Sequence, residues 1–121
     1  MVKNYLFCLL CCCWVGCDGL QKEQLKGKWT AVQLTEEGDS LKVNLDEITL
    51  NFEEKGYDFT STLNYKEAGI YELNDNFLTT LDSLNQGTEE KVVEITRLQN
   101  DSLYIRMMEQ GKERILVMIK E

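Results

Sequence analysis

The stretch Ile48–Leu63, ITLNFEEKGYDFTSTL, decides how this chain folds. Ile48, Leu50 and Phe52 alternate with Thr49, Asn51 and Glu53; beyond Gly56, Tyr57, Phe59, Ser61 and Leu63 alternate with Asp58, Thr60 and Thr62. A period of two sends one set to each face of an extended strand, so the stretch reads as two half-buried strands joined by a turn.

The pattern continues on either side. Phe77, Thr79 and Leu81 make a third inward set, Val93 and Ile95 a fourth, and Leu103, Ile105 and Met107 a fifth. Leu78, Leu81 and Leu84 also fit helical spacing, so that segment is open between strand and helix. The last segment, RILVMIK (Arg114–Lys120), is apolar on both faces and predicts a strand covered on its outer side. Breaks at Gly38, Gly56, Asn64, Asn74–Asn76, Asn85–Gly87, Asn100–Asp101 and Gly111 divide the chain into eight strand-length segments. The chain has no Pro, so its turns rest on Gly, Asn and Asp, which tolerate positive φ. Eight short strands predict an all-β antiparallel meander, closed as a barrel or stacked as a sandwich. One long connection, Glu36–Asp46, interrupts it, and LQKEQL (Leu20–Leu25) predicts a turn or two of helix ahead of the first strand.

All five cysteines fall in CLLCCCWVGC, Cys8–Cys17. Zinc ligands are usually spaced by polar or turn residues, and disulfides that pin a fold are spread through it. Here Leu6, Phe7, Leu9, Leu10, Trp14 and Val15 surround the cysteines and none follows Cys17. The apolar run is shorter than the roughly 20 residues that span a bilayer. With Lys3 ahead of it and Gly16 at its end, it reads as a secretory signal. WVGC (Trp14–Cys17) resembles the lipobox of bacterial lipoproteins: Val15, Gly16 and Cys17 match, and Trp14 stands where Leu is usual. The resemblance implies cleavage before Cys17 and a diacylglycerol on its thiol, so that acyl chains of the palmitate type anchor the protein. Residues 1–16 are then the lipoprotein signal peptide, 17–19 a lipidated tether and 20–121 the folded domain. The implied location is the bacterial cell envelope. Asp18 resembles an inner-membrane retention signal that only some envelopes use, so the leaflet is left open.

The 121 residues carry 13 Lys and Arg against 21 Asp and Glu, a net charge of −8. Lys3 is the only charged residue before Cys17, so a chain starting at Cys17 has 12 basic against 21 acidic side chains, or −9. Such a surface repels phosphate backbones and argues against a nucleic-acid partner. It also predicts a preference for neutral or cationic head groups in any bound amphiphile. The absence of His removes the commonest general base and metal ligand. The acidic neighbours Glu36–Glu37, Asp46–Glu47, Glu53–Glu54 and Glu89–Glu90 read as solvated surface. Glu36–Glu47 lacks the ligand periodicity of a calcium loop, and Met107–Met108 read as packing. No enzyme chemistry, cofactor or metal is expected.

LKGKWT (Leu25–Thr30) carries a family resemblance. A helical turn, then Gly27-x-Trp29 opening the first strand of an eight-stranded meander, resembles the lipocalin-like group of the calycins, and in particular small bacterial lipoproteins with a reduced domain of that kind. The resemblance implies an eight-stranded up-and-down barrel over residues 20–121, with Trp29 plugging its closed end. It also implies a basic side chain packed across Trp29. Arg97, which shares the parity of Val93 and Ile95, is the first choice, and Lys120 the second. The resemblance does not carry ligand binding with it; the leading functional reading is non-catalytic binding of a small apolar or amphipathic ligand at the open end, near Ala31, Gln33, Ser61, Leu63, Leu81, Met107 and Ile115, with Glu36–Asp46 as a lid. A small barrel can instead be filled by its own side chains, here Phe52, Tyr57, Phe59, Tyr71 and Phe77. A filled barrel would point to a protein-interaction or structural role in an envelope assembly.

Overall fold

The structure, a computed structural model, describes residues 21–85 and 90–121. A four-residue helix, α1 (Lys22–Leu25), leads into β1 (Gly27–Glu36). The strands that follow are β2 (Asp39–Ser40), β3 (Thr49–Phe52), β4 (Gly56–Thr60), β5 (Lys66–Asn74), β6 (Phe77–Asp82), β7 (Glu90–Gln99), β8 (Ser102–Glu109) and β9 (Lys112–Lys120). Each pairs antiparallel with its neighbour, and β9 returns to pair with β1, closing an eight-stranded barrel with the two-residue β2 outside it. Closure hydrogen-bonds the edge strands that an open meander would expose. Several reversals use residues that adopt positive φ readily: Gly38, Asp75, Asn100 and Gly111 have φ of 88°, 54°, 51° and 80°, while Glu37, Leu63 and Gln110 adopt it without that ease. The segment with competing helical spacing is strand β6, and β2 lies in the long connection where no strand was expected.

The closed end carries the tightest packing. Leu25, Trp29, Leu103 and Met118 have no exposed surface, and Phe52 and Ile95 have almost none. Trp29 donates its indole N–H to the Leu25 carbonyl at 2.9 Å, so α1 caps the ring that plugs the barrel. Full burial of so large a side chain contributes about 3 kcal/mol. Gly27 makes the junction possible. Its φ is +130°, and a Cβ there would lie 2.7 Å from Lys120 Cε. Beside the plug, Phe52 and Tyr71 meet edge to face with ring centres 5.0 Å apart.

Two bulges reset the alternation partway round the barrel. In β1 the register against β9 shifts between Ala31 and Gln33; in β7 the register against β8 shifts between Ile95 and Arg97. An extra residue on one strand flips the parity of everything beyond it. Ala31 and Ile95 face the core, but Leu34 and Leu98 are the next residues to do so, and Gln33 and Arg97 are exposed.

Candidate functional site

Above the plug the barrel is hollow. A cavity of about 580 Å³ opens at the end opposite Trp29, within the 300–1,000 Å³ common for small-molecule sites. Its deeper wall is apolar: Ile48, Leu50, Phe52, Phe59, Ile105 and Leu116, joined by Leu34, Leu78, Val93 and Met107. The strand faces that put Ile48, Leu50 and Phe52 inside therefore also build the pocket.

Polar groups gather toward the mouth. Glu67, on β5, is only 6% exposed. It accepts hydrogen bonds from the Tyr57 hydroxyl at 2.6 Å, the Tyr65 hydroxyl at 2.9 Å and the Lys91 ammonium at 3.1 Å. Burial alone would raise the Glu67 carboxyl, but these three donors and the Lys91 charge outweigh it and hold the group below its ordinary value. The Tyr57 hydroxyl is pushed well above its ordinary value, first by burial and then by its bond to Glu67. Across the mouth Arg114, on β9, also lines the cavity. Its Nη2 lies 3.7 Å from Glu36 Oε1, and its buried Nε has no hydrogen-bond partner among the described residues.

The mouth also opens sideways. Pairing between β7 and β8 runs from Gln99↔Ser102 to Glu94↔Arg106 and stops there. Continued in register it would join Val93 to Met107, Val92 to Met108 and Lys91 to Glu109. Those residues instead pair only with the strands on their other sides, β6 and β9. Val92 and Met108 are 61% and 57% exposed yet border the cavity, so they form an apolar rim to the gap.

Of the ligand positions expected from the sequence, Ser61 and Met107 stand in the cavity wall. The others do not. Ala31 is buried in the floor packing below the cavity, and Gln33 is turned outward by the β1 bulge. Leu63 has φ of 62° in a tight turn and is 93% exposed. Leu81 and Ile115 lie on the outer face, because the turn at Asp75 pairs Leu73 with Leu78 and Leu116 pairs with Ile105 inside. Phe77, counted as an inward and filling residue, is 47% exposed for the same reason. The outer face of β9 is only partly covered, with Ile119 45% exposed. The basic partner of Trp29 is Lys120, whose ammonium sits 5.3 Å from the indole centre; Arg97 lies over Tyr104 on the outside instead. Cys17 lies outside the described residues.

Residues that sequence reasoning passed over include Leu34, Glu67, Thr80, Lys91, Arg114 and Leu116. Parity could have found two groups of them. Counting back from Tyr71 by twos reaches Glu67, and counting back from Lys120 reaches Leu116 and Arg114.

An eight-stranded meander closed by its first and last strands, plugged at one end by a Trp under a short helix and hollow at the other, has a shape seen before. It superposes on a lipocalin-like protein from Bacteroides uniformis ATCC 8492 with a TM-score of 0.62 and 18% identity, covering 81% of this chain and 99% of that one. The fold is lipocalin-like. An uncharacterized protein from Bacteroides eggerthii DSM 20697 also shares it, with a TM-score of 0.57 and 17% identity over 79% of this chain and 98% of that one. The sequence matches no family model and no curated protein. Lipocalin-like folds are typically non-enzymatic, and a hollow lipocalin-like barrel is a shape able to take up a small ligand.

Proposed function

We propose that this protein is a lipid-anchored lipoprotein of the bacterial envelope whose lipocalin-like barrel binds a small apolar or amphipathic molecule without altering it. The cavity carries the reading. A volume of about 580 Å³ with an apolar deeper wall is more than a self-filled barrel would leave. The non-catalytic part rests on the chemistry of that wall. The chain has no His to activate the wall's Ser61 or Thr80, the Tyr57 and Tyr65 hydroxyls are tied to Glu67, and Glu67 is itself occupied by three donors. The anchor rests on Val15-Gly16-Cys17 at the end of the apolar run and on the absence of any later cysteine.

Two measurements test the reading. Dodecanol carrying a diazirine on its chain, photolysed with the full-length protein, should label saturably and map to cavity peptides around Leu50–Phe59 and Met107. Unsaturable labelling scattered over the surface would leave the protein-interaction role as the better account. Cys17→Ala should move the protein from the membrane fraction to the soluble one. Persistence in the membrane, with no labelled fatty acid incorporated by the native chain, would remove the anchor.

A further inference from the structure

We infer that the barrel is held with its closed end toward the membrane that anchors it. The mouth then opens away from that leaflet, and the ligand is taken from the aqueous side rather than drawn out of the lipid beneath. The inference rests on the lipid-anchor and ligand-binding readings above and names the side from which the ligand arrives.

The first ground is reach. Cys17 lies four residues ahead of Gln21, the first described residue, and four residues of fully extended backbone span at most about 14 Å. Gln21 is held at the closed end through α1. Lys22 pairs with Glu54 in the turn between β3 and β4 and sits over the Tyr71 ring. The Gln24 carbonyl accepts from the Lys120 ammonium at 3.3 Å, and the Leu25 carbonyl accepts from the Trp29 indole. From this end β1 runs ten residues to Glu36 at the mouth. At about 3.3 Å per residue and a tilt of about 40°, that is a climb of about 25 Å. The tether is shorter than the barrel is tall, so a lipid on Cys17 cannot sit in a leaflet that the mouth faces. The gap between β7 and β8, rimmed by Val92 and Met108, lies at the mouth end too, so the same limit applies to it.

The second ground is charge, which separates an upright barrel from one lying on its side. Around α1 the lysines are matched: Lys22 and Lys26 with Glu54, Lys26 also with Glu23, and Lys28 with Glu121. At the mouth, Glu37, Asp39, Glu90 and Glu109 form no ion pair among the described residues. An anionic lipid surface repels such a rim once it comes within a Debye length, about 8 Å at physiological salt. Tipping the mouth toward the surface is therefore opposed, and resting the neutralised closed end there is not.

Fluorescence quenching tests this on the acylated protein purified from membranes and reconstituted into vesicles of phosphatidylcholine and phosphatidylglycerol. On the anchor reading Cys8–Cys13 leave with the signal and Cys17 is occupied by lipid, so one added thiol at a time can carry a bimane. Lys55→Cys and Asp101→Cys mark closed-end turns on two sides of the barrel, and Leu63→Cys and Lys112→Cys mark two sides of the mouth. Lipids with a nitroxide on the head group should extinguish the Lys55 and Asp101 labels and leave the Leu63 and Lys112 labels as bright as without nitroxide. Quenching of either mouth label as deep as that at the closed end would overturn the orientation. So would quenching of no label while the protein floats with the vesicles. The source of the ligand is tested separately. Phosphatidylcholine with a diazirine on its acyl chain, built into the same vesicles, should label no peptide around Leu50–Phe59 or Met107, whereas diazirine-dodecanol added in water should label them. Labelling of those peptides by the bilayer's own lipid would overturn the aqueous route. A protein that neither floats with vesicles nor carries fatty acid on Cys17 would instead remove the anchor on which the orientation rests. Failure of dodecanol to label the cavity would remove the ligand-binding reading, and the aqueous route with it.

Discussion

The ammonium of Lys120 lies 5.3 Å from the centre of the Trp29 ring, joining the last strand of the barrel to the first. The same lysine sits where a Cβ on Gly27 would have to go. The closed end is therefore one packed unit that joins Gly27 and Trp29 at the start of the first strand to Lys120 at the end of the last. Trp29→Ala should cost about 3–5 kcal/mol in urea unfolding, because it empties a fully buried site. Lys120→Met should cost about 0.5–1 kcal/mol through loss of the cation–aromatic contact. Arg97→Ala, changed on the outer face, should stay within about 0.5 kcal/mol of native. An Arg97 effect larger than that of Lys120 would contradict the packing.

Gly27→Ala and Gly69→Ala separate two ways in which a glycine can be required. At Gly27 the backbone is in the positive-φ region and Lys120 is in the way. At Gly69, on β5, a Cβ would come within 1.9 Å of the Leu81 carbonyl oxygen on β6. A backbone atom cannot move aside as a lysine side chain can, so Gly69→Ala should cost about 1–3 kcal/mol and shift β6. Gly111→Ala, in open space with φ of 80°, is the control and should lose about 1 kcal/mol from backbone strain alone.

Stability should depend on pH through Glu67. Its carboxyl titrates below the ordinary 4.5 in the folded protein, so the folded state binds its proton less readily than the unfolded chain does. The stabilisation is present above about pH 5 and is lost as the pH falls through the lowered value. Lys91 and Tyr57 are both raised, so their contributions hold below about pH 10 and fade above it. Urea midpoints should therefore plateau between those limits. Glu67→Gln should lower the plateau by about 1.5–3 kcal/mol and flatten the acid limb. An acid limb unchanged in Glu67→Gln would place the titrating group elsewhere.

Blocking changes should now be aimed at the true wall. Met107→Trp or Ser61→Trp should abolish labelling by the diazirine probe while the circular dichroism spectrum stays native, since both side chains border open space. Ala31→Phe should behave differently. Ala31 is packed beside the plug and is not part of the cavity wall, so the larger side chain should destabilise the fold by about 1–3 kcal/mol before it affects binding.

Much of the architecture was legible in the alternation. Ile48, Leu50 and Phe52, then Tyr57 and Phe59, and later Leu103, Ile105 and Met107 face the interior as their period of two requires. Gly, Asn and Asp mark most of the reversals, and Gly27-x-Trp29 marks the plugged end. These features are local: a strand's two faces and a turn's φ are properties of neighbouring residues.

What the sequence determined alone was therefore the strand order, the turns, the plug and an acidic chain without His. The tertiary structure decided which face each strand presents beyond a bulge, and so that Leu34 lines the cavity rather than Gln33 and that Leu98 is buried rather than Arg97. It also decided that Lys120 covers Trp29, that Glu67 gathers Tyr57, Tyr65 and Lys91, and that β7 and β8 part at the mouth. A bulge is a compromise between two strands that must both stay in register as the barrel closes, so neither strand carries its signature alone. The cavity is likewise a remainder, the volume left once every wall has packed against its neighbours, and no single stretch of sequence records it.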